Sequence, residues 1–80
     1  ELDKAIADYS KAIQLDPKGA QAYINRGNAY YKQGELDKAI VDFDKAIELN
    51  PKLALAYNNR GNAYVKQGEL EGAFQKAGEF

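Results

Sequence analysis

Two polar triplets carry side chains suited to recognition: Asn25, Asn28 and Lys32, and again Asn59, Asn62 and Lys66. Steps of three and four residues put each triplet on one face of a helix. A carboxamide both donates and accepts hydrogen bonds, so a row of them can hold an extended peptide backbone, and lysine attracts carboxylates. The plainer alternative is the solvated face that any amphipathic helix presents.

Catalytic chemistry has little to work with. The chain has no histidine and no cysteine, and Ser10 is the one hydroxyl outside the tyrosines, with no base to activate it. Gly27 and Gly34 do not form a phosphate loop, because neither follows a strand or opens a helix. The carboxylates sit among lysines on helical faces that spread them apart, which disfavours a metal site. The six tyrosines could suggest base stacking, but they fall on the apolar helical face and no basic groove accompanies them. The expectation is a chain that is not an enzyme and needs no cofactor or metal.

Eleven basic residues nearly cancel 12 acidic ones, and a net charge of −1 gives no electrostatic case for nucleic acid or an anionic membrane. No run of about 18 apolar residues is present to span a bilayer, and no signal peptide is visible. The compartment stays open, with a cytoplasmic setting favoured. Eighty residues make one small domain at most.

The elements that position the triplets follow from an internal repeat. Residues 1–34 and 35–68 agree at 25 of 34 positions, and a period of this length marks stacked helical units. Two patterns alternate. In the first, type A, Ala20, Tyr23, Ile24, Gly27, Tyr30 and Tyr31 share one helical face, and Ala54, Tyr57, Asn58, Gly61, Tyr64 and Val65 repeat it. The polar triplets lie opposite. In the second, type B, Leu36, Ala39, Ile40, Phe43, Ala46 and Ile47 share a face, as do Leu2, Ala5, Ile6, Tyr9, Ala12 and Ile13. Asp37, Lys38, Asp42, Asp44, Lys45 and Glu48 form the charged outer face. Gly34 and Gly68 suit left-handed C-terminal positions, and Asp16-Pro17 and Asn50-Pro51 suit turns. The spacing predicts helices over 2–15, 20–33, 36–49 and 54–67, with a fifth, short or frayed, from about residue 70. Short links make neighbours antiparallel. The tail departs from the repeat: Gly72, Ala77 and Gly78 replace the counterparts of Lys38, Phe43 and Asp44, and the final Gly-Glu-Phe reads as a remnant foreign to the pattern.

These residues resemble the tetratricopeptide repeat (TPR), whose signature is W-x2-L-G-x2-Y, then A-x3-F, then A and P. Over 20–53, Tyr23 takes the tryptophan position and Gly27, Tyr30, Ala39, Phe43, Ala46 and Pro51 match in order. Tyr57, Gly61, Tyr64 and Ala73 match in the next unit. Arg26 and Arg60 stand where the family most often has leucine. The resemblance implies an all-α fold of antiparallel helix-turn-helix repeats in a right-handed superhelix. The reading is a single TPR-like domain over 1–80: a half repeat at 1–19, a full repeat at 20–53 and a truncated one at 54–80. Tyr23, Gly27, Tyr30, Ala39, Phe43, Ala46, Pro51, Tyr57, Gly61 and Tyr64 are then packing residues. In similar proteins the A helices line a concave groove for peptides. That makes Asn25, Asn28, Lys32, Asn59, Asn62 and Lys66 the candidate groove, flanked by Gln21, Tyr31, Leu55 and Asn58, and the chain a scaffold for a protein or peptide partner. Some relatives clamp a chaperone's C-terminal carboxylate with lysines, asparagines and an arginine. Asn28 and Asn59 occupy two of those positions, but Ile24 stands where the first lysine belongs.

Arg26 with Asp8 or Asp42, and Arg60 with Asp42, are candidate ion pairs between helices. The favoured alternative lays each arginine stem on apolar surface with its head in water. The chain opens in mid-pattern on a B helix that lacks its A partner, like an excised piece, and a stack of this kind needs about three repeats and capped ends. Exposed apolar ends are expected to associate, most naturally head to tail in imitation of the internal interface, or by exchange of a terminal helix; fraying of the ends is the rival. A self-associating repeat fragment, or a designed consensus-like chain with no dedicated ligand, is therefore the alternative to a peptide scaffold.

Overall fold

A computed structural model describes residues 1–78, with side chains apart from those of 76 and 77. Four helices follow one another: α1 (Leu2–Leu15), α2 (Ala20–Lys32), α3 (Leu36–Leu49) and α4 (Ala54–Gly78). No strand occurs among the described residues. Each helix packs on the next in sequence, and α2 also touches α4.

The turns form through local hydrogen bonds. After α1 the Lys18 amide donates to Asp16 Oδ1 at 3.2 Å, and after α3 the Lys52 amide donates to Asn50 Oδ1 at 3.2 Å. These side-chain turns sit beside prolines that cannot extend the helix. Between α2 and α3, Gly34 adopts φ +80°. The Glu35 amide then reaches the Tyr30 carbonyl at 2.9 Å and the Gly34 amide reaches that of Tyr31 at 3.0 Å, a left-handed cap that reverses the chain. Gln33 Nε2 ties the end of α2 to Asp3 on α1 at 2.6 Å, and Gln67 ties α4 to Asp37 on α3 in the same manner.

The core lies along α3 as two clusters at successive levels. Ile24, Ala46 and Ala56 form one cluster, with Tyr23 and Leu53 at its margin. Ala39, Phe43 and Ala63 form the other, with Tyr30, Tyr31 and Ile40 around it. Phe43 packs against α2 at Gly27, where a methyl group would fall 2.6 Å from ring carbon Cε1. Glycine's missing side chain is what admits the ring. Burial follows neighbours rather than sequence. α3 lies between α2 and α4 and buries Leu36, Ala39, Asp42, Phe43 and Ala46. α1 has ten of the same fourteen residues, packs on α2 alone, and buries none.

The structure departs from the sequence expectation at the C-terminal end. No turn forms at Gly68 and no fifth helix returns among the described residues; α4 continues for 25 residues to Gly78. Residues 79 and 80, the last two of the terminal Gly-Glu-Phe, lie outside the described residues. A returning helix would need a ring to cover Gly61 and an acid for Arg60, but in the repeat register it offers Ala77 and Lys76 in place of Phe43 and Asp42. Without that docking, adding residues to an existing helix is favoured over starting another. The faces shift accordingly. Tyr57 is 43% exposed and Tyr64 51%, and nothing lies near Gly61. These three residues are not the packing residues expected, because no helix covers them among the described residues. α4 instead buries Ala56 and Ala63 against α3.

The two equivalent glycines therefore respond oppositely to a methyl group. Gly27→Ala forces Phe43 to move and is expected to destabilise the fold by about 1–3 kcal/mol. Gly61→Ala meets open space on a helix and is expected to stabilise it by up to about 1 kcal/mol. Thermal unfolding followed by circular dichroism separates the two; equal shifts would contradict the packing described.

Candidate functional site

The polar stripes of α2 and α4 meet along one edge of the sheet of helices. Asn59 Nδ2 donates to Asn28 Oδ1 at 2.9 Å, joining the helices by a half-buried amide pair. Each carboxamide carries one acceptor and two donor hydrogens, so both residues keep hydrogen-bonding capacity after this contact.

Two hollows open on either side of the pair. One, of about 140 Å³, is bounded by Asn28, Asn59, Asn62 and Tyr31, with the Phe43 ring at its floor. The other, of about 330 Å³, lies between α1 and α2, with Asn25, Asn28, Lys32 and Tyr9 in its walls. Asn28 belongs to both. Asn25 accepts a hydrogen bond from Gln21 Nε2 at 3.0 Å. Five of the six candidate groove residues thus border the two hollows. Lys66 does not; it is exposed and pairs with Glu69 on its own helix at 3.7 Å. Of the expected flanking residues, Tyr31 borders a hollow, whereas Leu55 and Asn58 are exposed away from both.

Behind the groove runs an ion pair that replaces the expected solvated arginine head. Arg26 Nε and Nη2 donate to Asp42 Oδ2 and Oδ1 at 2.8 and 2.7 Å, and Nη1 reaches Ser10 Oγ at 3.2 Å. One guanidinium therefore links α1, α2 and α3. Asp42 is only 2% exposed, so it belongs to the interior and not to the charged outer face. The hydrogen bond to Asp42 raises the Arg26 pKa above its ordinary value, against the opposing effect of burial. A raised cation pKa contributes stability below the unfolded value and loses it only as pH climbs through the folded one, so this contribution is constant across neutral pH. The guanidinium also lies over the rings of Tyr23 and Tyr30, at 5.7 and 5.8 Å from their centroids. Arg60 repeats the arrangement between Tyr57 and Tyr64, but its acid is Asp44 at 2.7 Å, not Asp42. The sequence signal for the pair was present: an arginine in a leucine position, and an aspartate sixteen residues later beside the ring that fills the interface.

The sequence model of the TPR repeat family matches residues 1–34 and 27–68. The chain belongs to the TPR repeat family. No curated protein matches it. TPR repeats are non-catalytic scaffolds that mediate protein–protein interaction. In this TPR chain no cluster of histidine, cysteine, aspartate and glutamate forms a metal site among the described residues. No described helix is long and apolar enough to cross a membrane.

Restoring the family leucine at one side of the ion pair is expected to be harmful. Arg26→Leu strands a buried carboxylate and should cost about 3 kcal/mol. The double variant Arg26→Leu/Asp42→Leu should recover most of the loss. Denaturant unfolding of the single and double variants measures this, and an unperturbed single variant would show that the pair contributes nothing.

Proposed function

We propose that this TPR chain is a protein-interaction scaffold that holds an extended peptide along the edge formed by α2 and α4. The observation behind this reading is the Asn28–Asn59 amide pair, set between two hollows and lined further by Asn25 and Asn62. A peptide in extended conformation presents alternating carbonyl and amide groups, which the spare donors and acceptors of these asparagines match. Side chains of the ligand enter the hollows, one floored by an aromatic ring. Lys32 at the wider end favours a carboxylate on the ligand.

No catalytic step belongs to this reading. Ser10 Oγ accepts from Arg26 and has no base beside it, and the carboxylates are dispersed over exposed helical faces apart from Asp42, which Arg26 holds. The near-zero net charge and the lack of a basic groove favour protein over nucleic acid as partner. A carboxylate clamp for chaperone tails is disfavoured, because Ile24 is fully buried between helices and is unavailable to a ligand.

A peptide array probed with the chain and with Asn28→Ala/Asn59→Ala tests the proposal. The double variant should keep its helical circular dichroism and bind the selected peptides about tenfold or more weakly, as expected for two lost hydrogen bonds. Undiminished binding by the variant, or no binding by the parent chain, would overturn the groove.

A further inference from the structure

We propose that the open flank of α4 is a docking surface for α1 of a second copy of the same chain, so that copies add head to tail in the register of the internal repeat.

Both halves of such a contact are present on one molecule, and the completed contact is visible between α2 and α3. On α2, Tyr23, Arg26, Gly27 and Tyr30 meet α3; on α4 the same residue types recur as Tyr57, Arg60, Gly61 and Tyr64 with no following helix against them among the described residues. On α3, Asp42 and Phe43 answer Arg26 and Gly27. On α1 their counterparts are Asp8 and Tyr9, and α1 has no buried residue. Placing α1 of a second copy where α3 sits on α2 sets the Tyr9 ring over Gly61 and Asp8 against Arg60.

Charge complementarity selects this occupant. Arg26 uses two sides of its guanidinium, one toward Ser10 on the preceding helix and one toward Asp42 on the following helix. Arg60 has its preceding-helix partner, Asp44, which is the counterpart of Ser10. Its following-helix acid is missing. Asp8 is exposed and makes no hydrogen bond or ion pair among the described residues. The chain's own tail is a poorer candidate, because in the same register it would bring Lys76 to Arg60 and Ala77 to Gly61.

The groove agrees with this register. Asn28 on α2 accepts from Asn59 on α4; one repeat earlier the same pair is Asn62 of a neighbouring copy with Asn25. The wide hollow between α1 and α2 corresponds to the narrow one over Phe43 with one wall removed, and the neighbour's α4 supplies that wall. The contact uses different surfaces on the two copies, so each addition leaves a new open flank and association grows with concentration.

Light scattering and sedimentation from micromolar to millimolar concentration read the association. The parent chain should form a rising series of oligomers. Gly61→Leu fills the slot for Tyr9 on an exposed helix, and Asp8→Lys reverses an unpaired charge. Each should keep its helical circular dichroism and weaken association by about tenfold or more. Each variant blocks a different end, so an equimolar mixture of the two should give a one-to-one dimer that grows no further. Leu70→Ser/Phe74→Ser, which alters the apolar tail of α4, should associate like the parent. A strictly monomeric parent chain overturns the proposal. So does undiminished association of Gly61→Leu, a mixture that fails to dimerise, or loss of association in the tail variant alone, which would assign the contact to exchange of the terminal helix.

Discussion

The contact between the Phe43 ring and the bare backbone at Gly27 sets the spacing of everything around it. A helix pair normally keeps a side chain's width between backbones, and glycine removes that width on one side. Ala39 and Ala46, one turn or so to either side of Phe43, are small enough to keep the approach close along the helix. At that distance Asp42, the neighbour of Phe43 in sequence, is carried into the interior and must be satisfied there. Arg26 does so with two parallel hydrogen bonds, and its remaining nitrogen reaches the preceding helix. The close approach thus creates the need for the ion pair, and the ion pair in turn fixes how α1, α2 and α3 register.

Much of this was legible in the residues. The repeat and the helical spacing of its apolar positions placed the first three helices to within a residue, since those bounds are set by local chemistry: proline after an Asx turn, and a left-handed glycine. The start of the fourth helix at Ala54 was legible but its continuation past Gly68 was not, and the reason is physical. Lys32-Gln33-Gly34-Glu35-Leu36 and Lys66-Gln67-Gly68-Glu69-Leu70 are the same pentapeptide, yet one is a turn and the other is helix. Glycine permits the reversal without demanding it; what secures the first is the docking of α3 afterwards. The departures at Lys76 and Ala77 were visible, but their effect on a turn eight residues earlier passes through tertiary contact.

The polar stripe was likewise readable as a face, though not as a set of partners. Spacing within each helix put Asn28 and Asn59 on corresponding sides, and only the packing of α2 against α4 turned them into a bonded pair. The reverse error occurred on α4's apolar side. An A helix has two flanks to cover, one toward the preceding B helix and one toward its own, and a single periodic pattern does not tell them apart. With no B helix returning among the described residues, the flank bearing the large aromatic residues is bare and the flank bearing Ala56 and Ala63 is the buried one. Asp42 was a candidate partner for Arg26, but its burial was not legible for a similar reason: acidic residues in a helix usually face water, and this one is held inside by a residue on another helix.

Because each helix leans mainly on its immediate neighbours, the buried core is confined to α2, α3 and the start of α4, and the ends of the stack lie outside it. Energetic coupling decays with distance along the stack, and the outer helices, each leaning mainly on one neighbour, give way before the α2–α3 hairpin. The order in which the chain comes apart is therefore written into its layout: backbone amides of α1 and of the far end of α4 trade their protons with solvent first, and those around Ala39 and Phe43 last.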